Sequence, residues 1–262
     1  MTNPRPGSTP TVSVVIPCWN DGAMLGQCLE ALAAQTVQPF EVIVVDGDSS
    51  DDSHRVATEA GARVITATGG IPDATAAGLD AARGDILARI DADSRPSPDW
   101  LQRIRDDFDR PGTWSAVTGT GTFYGTNPLL AWAGRALYLG GYFHAVGPML
   151  GHPPLFGSNF AIRRETWSRM SPLVHRDRRR IHDDLDLSIQ LEPDMTVLYD
   201  PSLRMSVSGR QLASWSSFRR HISWSVNTFA LNHRRMSLRA RRRQRRDWRG
   251  VTKASVPPRA HR

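Results

Sequence analysis

Two carboxylates, Asp91 and Asp93, stand two residues apart at the end of the apolar run Ile86-Leu-Ala-Arg-Ile90. Hard oxygen ligands at one strand exit suit Mg2+ or Mn2+, which keep positions open for substrate phosphates. The same pair can also form a turn or cap a following helix. Asp46 closes a second run, Phe40 to Val45, where a carboxylate can accept a hydrogen bond from a base or ribose. Just beyond it, Ser50 and Asp51 are read as caps of the next helix. Trp19, after the run Val12 to Pro17, offers either a face for a nucleobase or ordinary rim packing. A third acidic group, His182-Asp-Asp-Leu-Asp186, crowds three carboxylates into one helix start. Capping favours carboxylates at the positive end of a helix, and repulsion within the group raises pKa values toward base function. The chemistry on offer is therefore phosphate binding through a metal, with proton abstraction nearby.

The elements that must position these groups alternate. Buried strands are expected at Val12 to Pro17, Phe40 to Asp46, Ala62 to Thr66 and Ile86 to Ile90, with helices at Met24 to Gln35, after Ser50, and at Asp73 to Ala82. Such alternation predicts an α/β fold with a mostly parallel sheet. Ligands in such sheets sit beyond the carboxyl ends of the strands, so residues 17–20, 46–49 and 91–94 share one rim. After a helix at Trp100 to Phe108, strands are expected at Ala116 to Thr122, Asn159 to Arg163 and Thr196 to Tyr199, with helices from Asp184 and from about Leu212. The Gly- and Pro-rich stretch Gly140 to Ser158 reads as a loop, long enough to be functional, that shapes an acceptor pocket. His144 and His152 within it are taken as surface histidines.

Composition bounds the rest. The chain has 262 residues and two cysteines, Cys18 and Cys28, with no metal or redox spacing, which favours a reducing compartment. No uncharged apolar run reaches the length of a membrane span. The formal charge of +7 is uneven: residues 234–262 hold 12 Lys or Arg against one Asp, leaving the remainder mildly acidic. Residues 1–11 read as a disordered lead-in, 12–233 as one domain, and 234–262 as a basic, helical tail without an apolar partner face beyond Trp248. Three accounts of the tail stand: a solvated end, a dock for anionic lipid with Trp215, Trp224 and Phe229 at the headgroups, or a nucleic-acid contact. The folded part lacks a basic or aromatic stripe, which counts against nucleic acid. No G-x-G-x-x-G follows the first strand, which excludes a Rossmann dehydrogenase.

Taken in order, these blocks resemble family 2 of the inverting glycosyltransferases, whose fold is the nucleotide-diphospho-sugar transferase (GT-A) fold. Val12-Ser-Val-Val-Ile-Pro-Cys-Trp-Asn20 is similar to that family's V-S-x-V-I-P-x-x-N opening. Val45 to Ser53 resembles V-D-D-G-S-T-D-x-S, with Gly and Asp exchanged at 47 and 48, and Ala82 to Asp93 matches A-x-G-D-x-[IL]-x-x-x-D-A-D. Gly157 to Glu165 is like G-x-x-x-x-x-R-R-E, and His182 to Ser188 resembles E-D-x-D-L-x, with Asp183 in the usual Glu position.

The resemblance implies roles. Asp46 would meet the base, uracil or guanine, of a UDP- or GDP-sugar donor, with Pro17, Trp19 and Asn20 also binding that nucleotide-sugar. Asp91 and Asp93 would approach the ribose and a metal-bound diphosphate, and Asp184, with Asp183 as runner-up, would be the catalytic base. The A-R-N-x-G segment reads Ala74-Thr-Ala-Ala-Gly78 here, so its Arg-Asn pair is absent; Arg210, in an S-x-R-like element, would supply positive charge instead. The expected activity is metal-dependent, inverting sugar transfer to a glycan or lipid-linked acceptor in envelope polysaccharide or glycolipid synthesis. Its expected setting is the cytoplasm, peripheral on the inner face of the plasma membrane. The alternative is a non-catalytic nucleotide-sugar-binding module on the same fold.

Overall fold

The structure is a computed structural model that describes residues 9–210, 215–233 and 237–254. Four short strands rich in β-branched residues alternate with helices: β1 (Val12–Cys18), α1 (Gly22–Ala33), β2 (Glu41–Asp46), α2 (Ser53–Glu59), β3 (Arg63–Thr66), α3 (Ile71–Ala81) and β4 (Ile86–Arg89). β1 pairs in parallel with both β2 and β4, and β2 with β3, as the alternation predicts. Beyond it come β5 (Arg95–Pro96), α4 (Trp100–Asp109), β6 (Trp114–Tyr124), β7 (Phe160–Arg163) and β8 (Thr196–Ser208), completing one sheet of order β3-β2-β1-β4-β7-β6-β8-β5. β7 runs antiparallel to both β4 and β6, so the sheet is mixed in its second half.

The pleat sorts the core onto two faces. Val12, Val14 and Ile16 point to α1 and α4, packing with Leu25, Leu32, Trp100 and Ile104. Val15, Ile43 and Val45 point the other way, to α3 and to α7 (Arg164–Met170), packing with Leu79, Trp167 and Met170. α3 lies close because of Gly78: a Cβ there would sit 2.3 Å from Val15 Cγ1. Buried Asn159 ties the second half of the sheet together, accepting from Trp100 Nε1 at 2.8 Å and donating to the carbonyls of Thr120 and Leu203.

Several expectations change. Thr11, assigned to the lead-in, exchanges hydrogen bonds with Asp85 and so belongs to the fold, while residues 1–8 lie outside the described residues. The last strand runs to Ser208 because it pairs alongside all of β6, with irregular register near Gly119. The expected loop from Gly140 is helical up to Leu150. α5 (Pro128–Ala133) continues as wide π-type turns over Gly134–Leu139 and Tyr142–Val146 and then the single turn α6 (Gly147–Leu150). Gly151, at φ 78, ends that turn. His152, expected at the surface, is buried.

α8 (Asp183–Gln190) is clasped by α9 (Trp215–His233). Thr228 accepts from the His182 amide, and Asn232 bonds both Gln190 and Asp186. Trp224 lies edge-on to His182, and Phe229 packs beside Leu150, Leu185 and Ile189, so both are half-buried contacts of the fold, while the side chain of Trp215 lies outside the described residues. α10 (Leu238–Ala254) does have a partner: Leu238 joins the same small core. Its Arg241 and Arg245 donate to the carbonyls of Ile189 and Leu191 at the end of α8. Among the described residues no helix is long and apolar enough to cross a membrane, and both cysteines are free and buried.

Between α4 and β8, Asp107 and Asp200 are buried together beside the guanidinium of Arg110. Burial, and then the second carboxyl, push Asp107 up to about 7, with Arg110 opposing. The folded chain thus holds a proton that the unfolded chain releases near pH 4, so stability falls as pH rises through the window from about 4 to 7. Asp107→Asn should be more stable than the native chain by a margin that grows from about pH 4 to pH 7. Its advantage in melting temperature is then larger at pH 8 than at pH 5, up to roughly 4 kcal/mol in stability if the whole shift is recovered. Melting curves at the two pH values measure this; an offset that does not change with pH refutes it.

Candidate active site

The ends of β1, β2 and β4 form one rim, with Cys18 directly in register with Asp46. Two residues there hold left-handed backbone conformations, Asn20 at φ 50 and Asp48 at φ 65. Side chains brace them. Asn20 Oδ1 accepts from the Ser50 amide at 2.8 Å, and Ser49 Oγ accepts from the Asn20 amide at 2.9 Å. Asp46 is buried and accepts from the Ser49 amide at 3.0 Å, with His54 3.6 Å from its other oxygen. Trp19 stands 68 % exposed above this turn, so its face is open. Gly47 lies beneath it, where a Cβ would approach Trp19 Cβ at 3.3 Å. The cap position of α2 falls at Asp52 rather than Ser50 or Asp51, and Asp51 just before it accepts from the Ser53 amide at the start of α2 and from the Gly22 amide at the start of α1.

At the exit of β4 the two acids differ. Asp91 is about one-third exposed, with one oxygen 2.6 Å from Arg89 Nη1 and the other taking the hydroxyl of Ser158. Asp93 is buried, and Arg210 Nη2 lies 3.2 Å from its Oδ2. Burial and then the charge of Asp91 push Asp93 up to about 6, against the pull of Arg210. Arg210 is half exposed and also forks onto Asp21. Asp93 thus has one cation beside it, Arg210, and both Asp91 oxygens are engaged by Arg89 and Ser158. Among the described residues no three His, Cys, Asp or Glu side chains gather closely enough to enclose a metal ion unaided.

The start of α8 brings its acids to the same place. Asp183 accepts from Thr75 Oγ1 at 2.7 Å and pairs with Arg89 Nη2 at 3.0 Å. Asp184 accepts from the amides of Gly157 at 2.9 Å and Leu185 at 2.7 Å, which leaves a free lone pair on each oxygen. Burial and then Asp183 hold its pKa above the usual carboxylate range, with His182, Arg89 and the Gly157 amide opposing. Asp186 turns inward, to His175, Gln190 and Asn232, and serves the scaffold.

Sequence reasoning missed the residue that joins these groups. Arg89 is 2 % exposed in the middle of the sheet and reaches both Asp91 and Asp183. Burial alone would lower its pKa; Asp183, Asp91 and Asp184 outweigh that and raise it. Its signal was a lone guanidinium inside the apolar run Ile86 to Ile90, which buries a charge only with partners. Ser158 was missed for lack of any signal beyond its position in a Gly-rich segment. The two rims close where Gly157 passes: a Cβ there would meet Arg89 Nη1 at 2.9 Å and Asp184 Oδ2 at 3.0 Å. The structure thus joins Asp91 and Asp183 through Arg89, with Asp184 beside them, and sets the Asp93–Arg210 pair at the same strand exit. Pro17, Trp19, Asn20 and Asp46 stand along the neighbouring strand exits.

Residues 13–169, more than half of the chain, match the model for glycosyl transferase family 2. A stretch of 107 residues is 31 % identical to an uncharacterized glycosyltransferase, EpsJ, of Bacillus subtilis, covering 38 % of this chain and 31 % of that protein. The chain thus spans about a third of that relative's length. The fold is similar to a mannosyltransferase of Pyrobaculum calidifontis solved with GDP-Man and Mn2+, at a TM-score of 0.65 with 19 % identity, covering 97 % of this chain and 78 % of that one. It is also similar to glucosyl-3-phosphoglycerate synthase of Mycobacterium tuberculosis, solved with Mn2+, UDP and glucosyl-3-phosphoglycerate, at a TM-score of 0.59 with 22 % identity over 88 % and 86 % of the two chains. These likenesses carry the GT-A fold, and with the matched model they establish that the chain belongs to glycosyl transferase family 2.

Proposed function

We propose that the protein moves a sugar from a nucleoside diphosphate donor to an acceptor hydroxyl with inversion of the anomeric centre. The observation that carries the reading is the meeting of the β4 exit with the start of α8 through Arg89, which sets a candidate base beside a candidate diphosphate site. Trp19 and Asp46 would take the base, braced through Asn20 and the Pro17 end of β1, and Asp91 the ribose. Asp93, with Asp91 beside it, would hold Mn2+ or Mg2+, whose chemistry there is to neutralise charge on the leaving diphosphate. That two fold neighbours were solved with Mn2+ and a nucleotide supports this. Arg210 adds a guanidinium at the same edge.

Asp184 is the favoured base. Its pKa is raised, its two amide contacts fix its orientation, and it keeps lone pairs free to take the proton of the attacking hydroxyl. Asp183 has both Thr75 and Arg89 on one oxygen, which suits it to hold charge rather than to accept a proton. A glycan or lipid-linked acceptor in envelope synthesis, met at a membrane surface, is the setting we infer. Its support is the exposed Leu129 and Trp132 of α5, 73 % and 67 % accessible, and the exposed Arg239 and Arg243 of α10.

A thermal-shift panel of UDP- and GDP-sugars, with and without Mn2+, tests the donor class; stabilisation that appears only with metal is expected. Asp93→Ala should abolish that shift, and a retained shift refutes the assignment. Asp184→Asn should keep the shift but cut transfer by about 10²-fold or more. Donor binding with no transfer or donor hydrolysis by the native chain would favour the binding-module alternative. Retention of configuration in the product, read by NMR, would exclude direct displacement. Arg89→Met, which strands buried carboxylates, should destabilise the fold by about 3–5 kcal/mol in chemical unfolding; a loss below 1 kcal/mol would show the cluster does not depend on it.

A further inference from the structure

Away from the acidic cluster, a cleft of about 860 Å3 opens between the turns at 143–153 and α10. Three guanidiniums line it, from Arg242, Arg245 and Arg246, together with His152, and among the described residues no carboxylate lines it. Arg245 is buried and spent on the carbonyls of Leu191 and Met195, which fixes the rotation of α10. Arg242 and Arg246, one turn apart on that helix, are exposed and make no ion pair among the described residues. Phe143 and Tyr199 line the same cleft with ring centroids 4.9 Å apart, a ready apolar surface.

A concave wall of one charge sign concentrates the opposite charge. Paired guanidiniums match the oxygens of a phosphate group by forked hydrogen bonds. The aromatic pair adds a face on which a sugar ring can rest, and the volume is in the range of small-molecule sites. Tyr199 is in register with Thr118, Thr118 with Phe160, and Phe160 with Arg89. Three strand spacings place its backbone about 14 Å along the sheet from Arg89.

We propose that this cleft binds a phosphate-bearing sugar, with the phosphate on Arg242 and Arg246 and the sugar against Phe143 and Tyr199. Naming that ligand as the anchored end of the acceptor rests on the transferase reading; the binding itself does not.

Calorimetric titration of the full chain with glucose 6-phosphate, inorganic phosphate, glucose and phosphatidylglycerol vesicles tests it. Glucose 6-phosphate should bind more tightly than inorganic phosphate, and glucose should give no heat. The double variant Arg242→Gln/Arg246→Gln should weaken glucose 6-phosphate at least tenfold, and Tyr199→Ala should reduce its affinity to that of inorganic phosphate. Both variants should keep the metal-dependent shift with UDP, which also shows that they fold; the single Arg246→Gln replaces a double variant that does not. Equal binding by the native and variant chains overturns the site, as does silence toward glucose 6-phosphate. Binding to vesicles that glucose 6-phosphate does not displace assigns the arginines to a lipid surface and overturns it equally. If UDP gives no shift with the native chain while glucose 6-phosphate binds as described, the transferase reading fails and this site stands.

Discussion

A guanidinium buried in a sheet costs several kcal/mol unless its charge is paired. Here Arg89 meets Asp91, just past its own strand, through Nη1 and Asp183 of α8 through Nη2, while its Nε has no partner among the described residues. That constraint reaches through the structure. Asp91 must leave β4 in a turn that folds back on the strand, and α8 must begin at Asp183 rather than a residue later. A side chain at 157 would push on both Arg89 and Asp184, 2.9 and 3.0 Å from a Cβ placed there, and so disturb their pairing. The carboxylates gain in turn: held by a fixed cation, several acids can crowd one edge, while Asp184, bonded to amides rather than paired with the guanidinium, keeps a raised pKa.

Much of the first half of the fold was legible, because buried parallel strands read as short apolar runs and their crossover helices as periodic ones. The runs ending at Asp46 and at Ile90 lie within a residue or two of β2 and β4. The acidic exits were legible for the same reason, since a carboxylate after a buried strand emerges at a rim. What failed was local inference where tertiary contacts decide. Glycines at 140, 141, 147 and 151 signal a loop, yet the first three lie within helical turns and only Gly151 takes a positive φ. His152 reads as a surface residue until the turns fold over it.

The basic segment shows the limit of composition. An arginine-rich stretch looks solvated because charge opposes burial, but a helix that ends beside another offers carbonyls without partners. Arg241 and Arg245, four residues apart on α10, satisfy those of Ile189 and Leu191, so two of the segment's charges act as a dock. A count of charges cannot separate these from Arg242 and Arg246, which point elsewhere; only the phase of the helix can.

The replaced A-R-N-x-G segment follows the same logic. In place of a long cation, α3 presents Thr75, whose hydroxyl reaches Asp183 directly. A short hydroxyl is enough because Gly78, one turn on, lets α3 lie hard against Val15 and Val45, and because the charge that Asp183 needs comes up from inside the sheet. Arg89 serves Asp183 and Asp91 with different nitrogens of one planar fork, a division that a lysine on the helix could not reproduce. The positive charge beside Asp183 thus comes from the strand rather than from the helix face. It stabilises the protein's own acids there, and Arg210 is left as the half-exposed guanidinium at the edge where a diphosphate would lie.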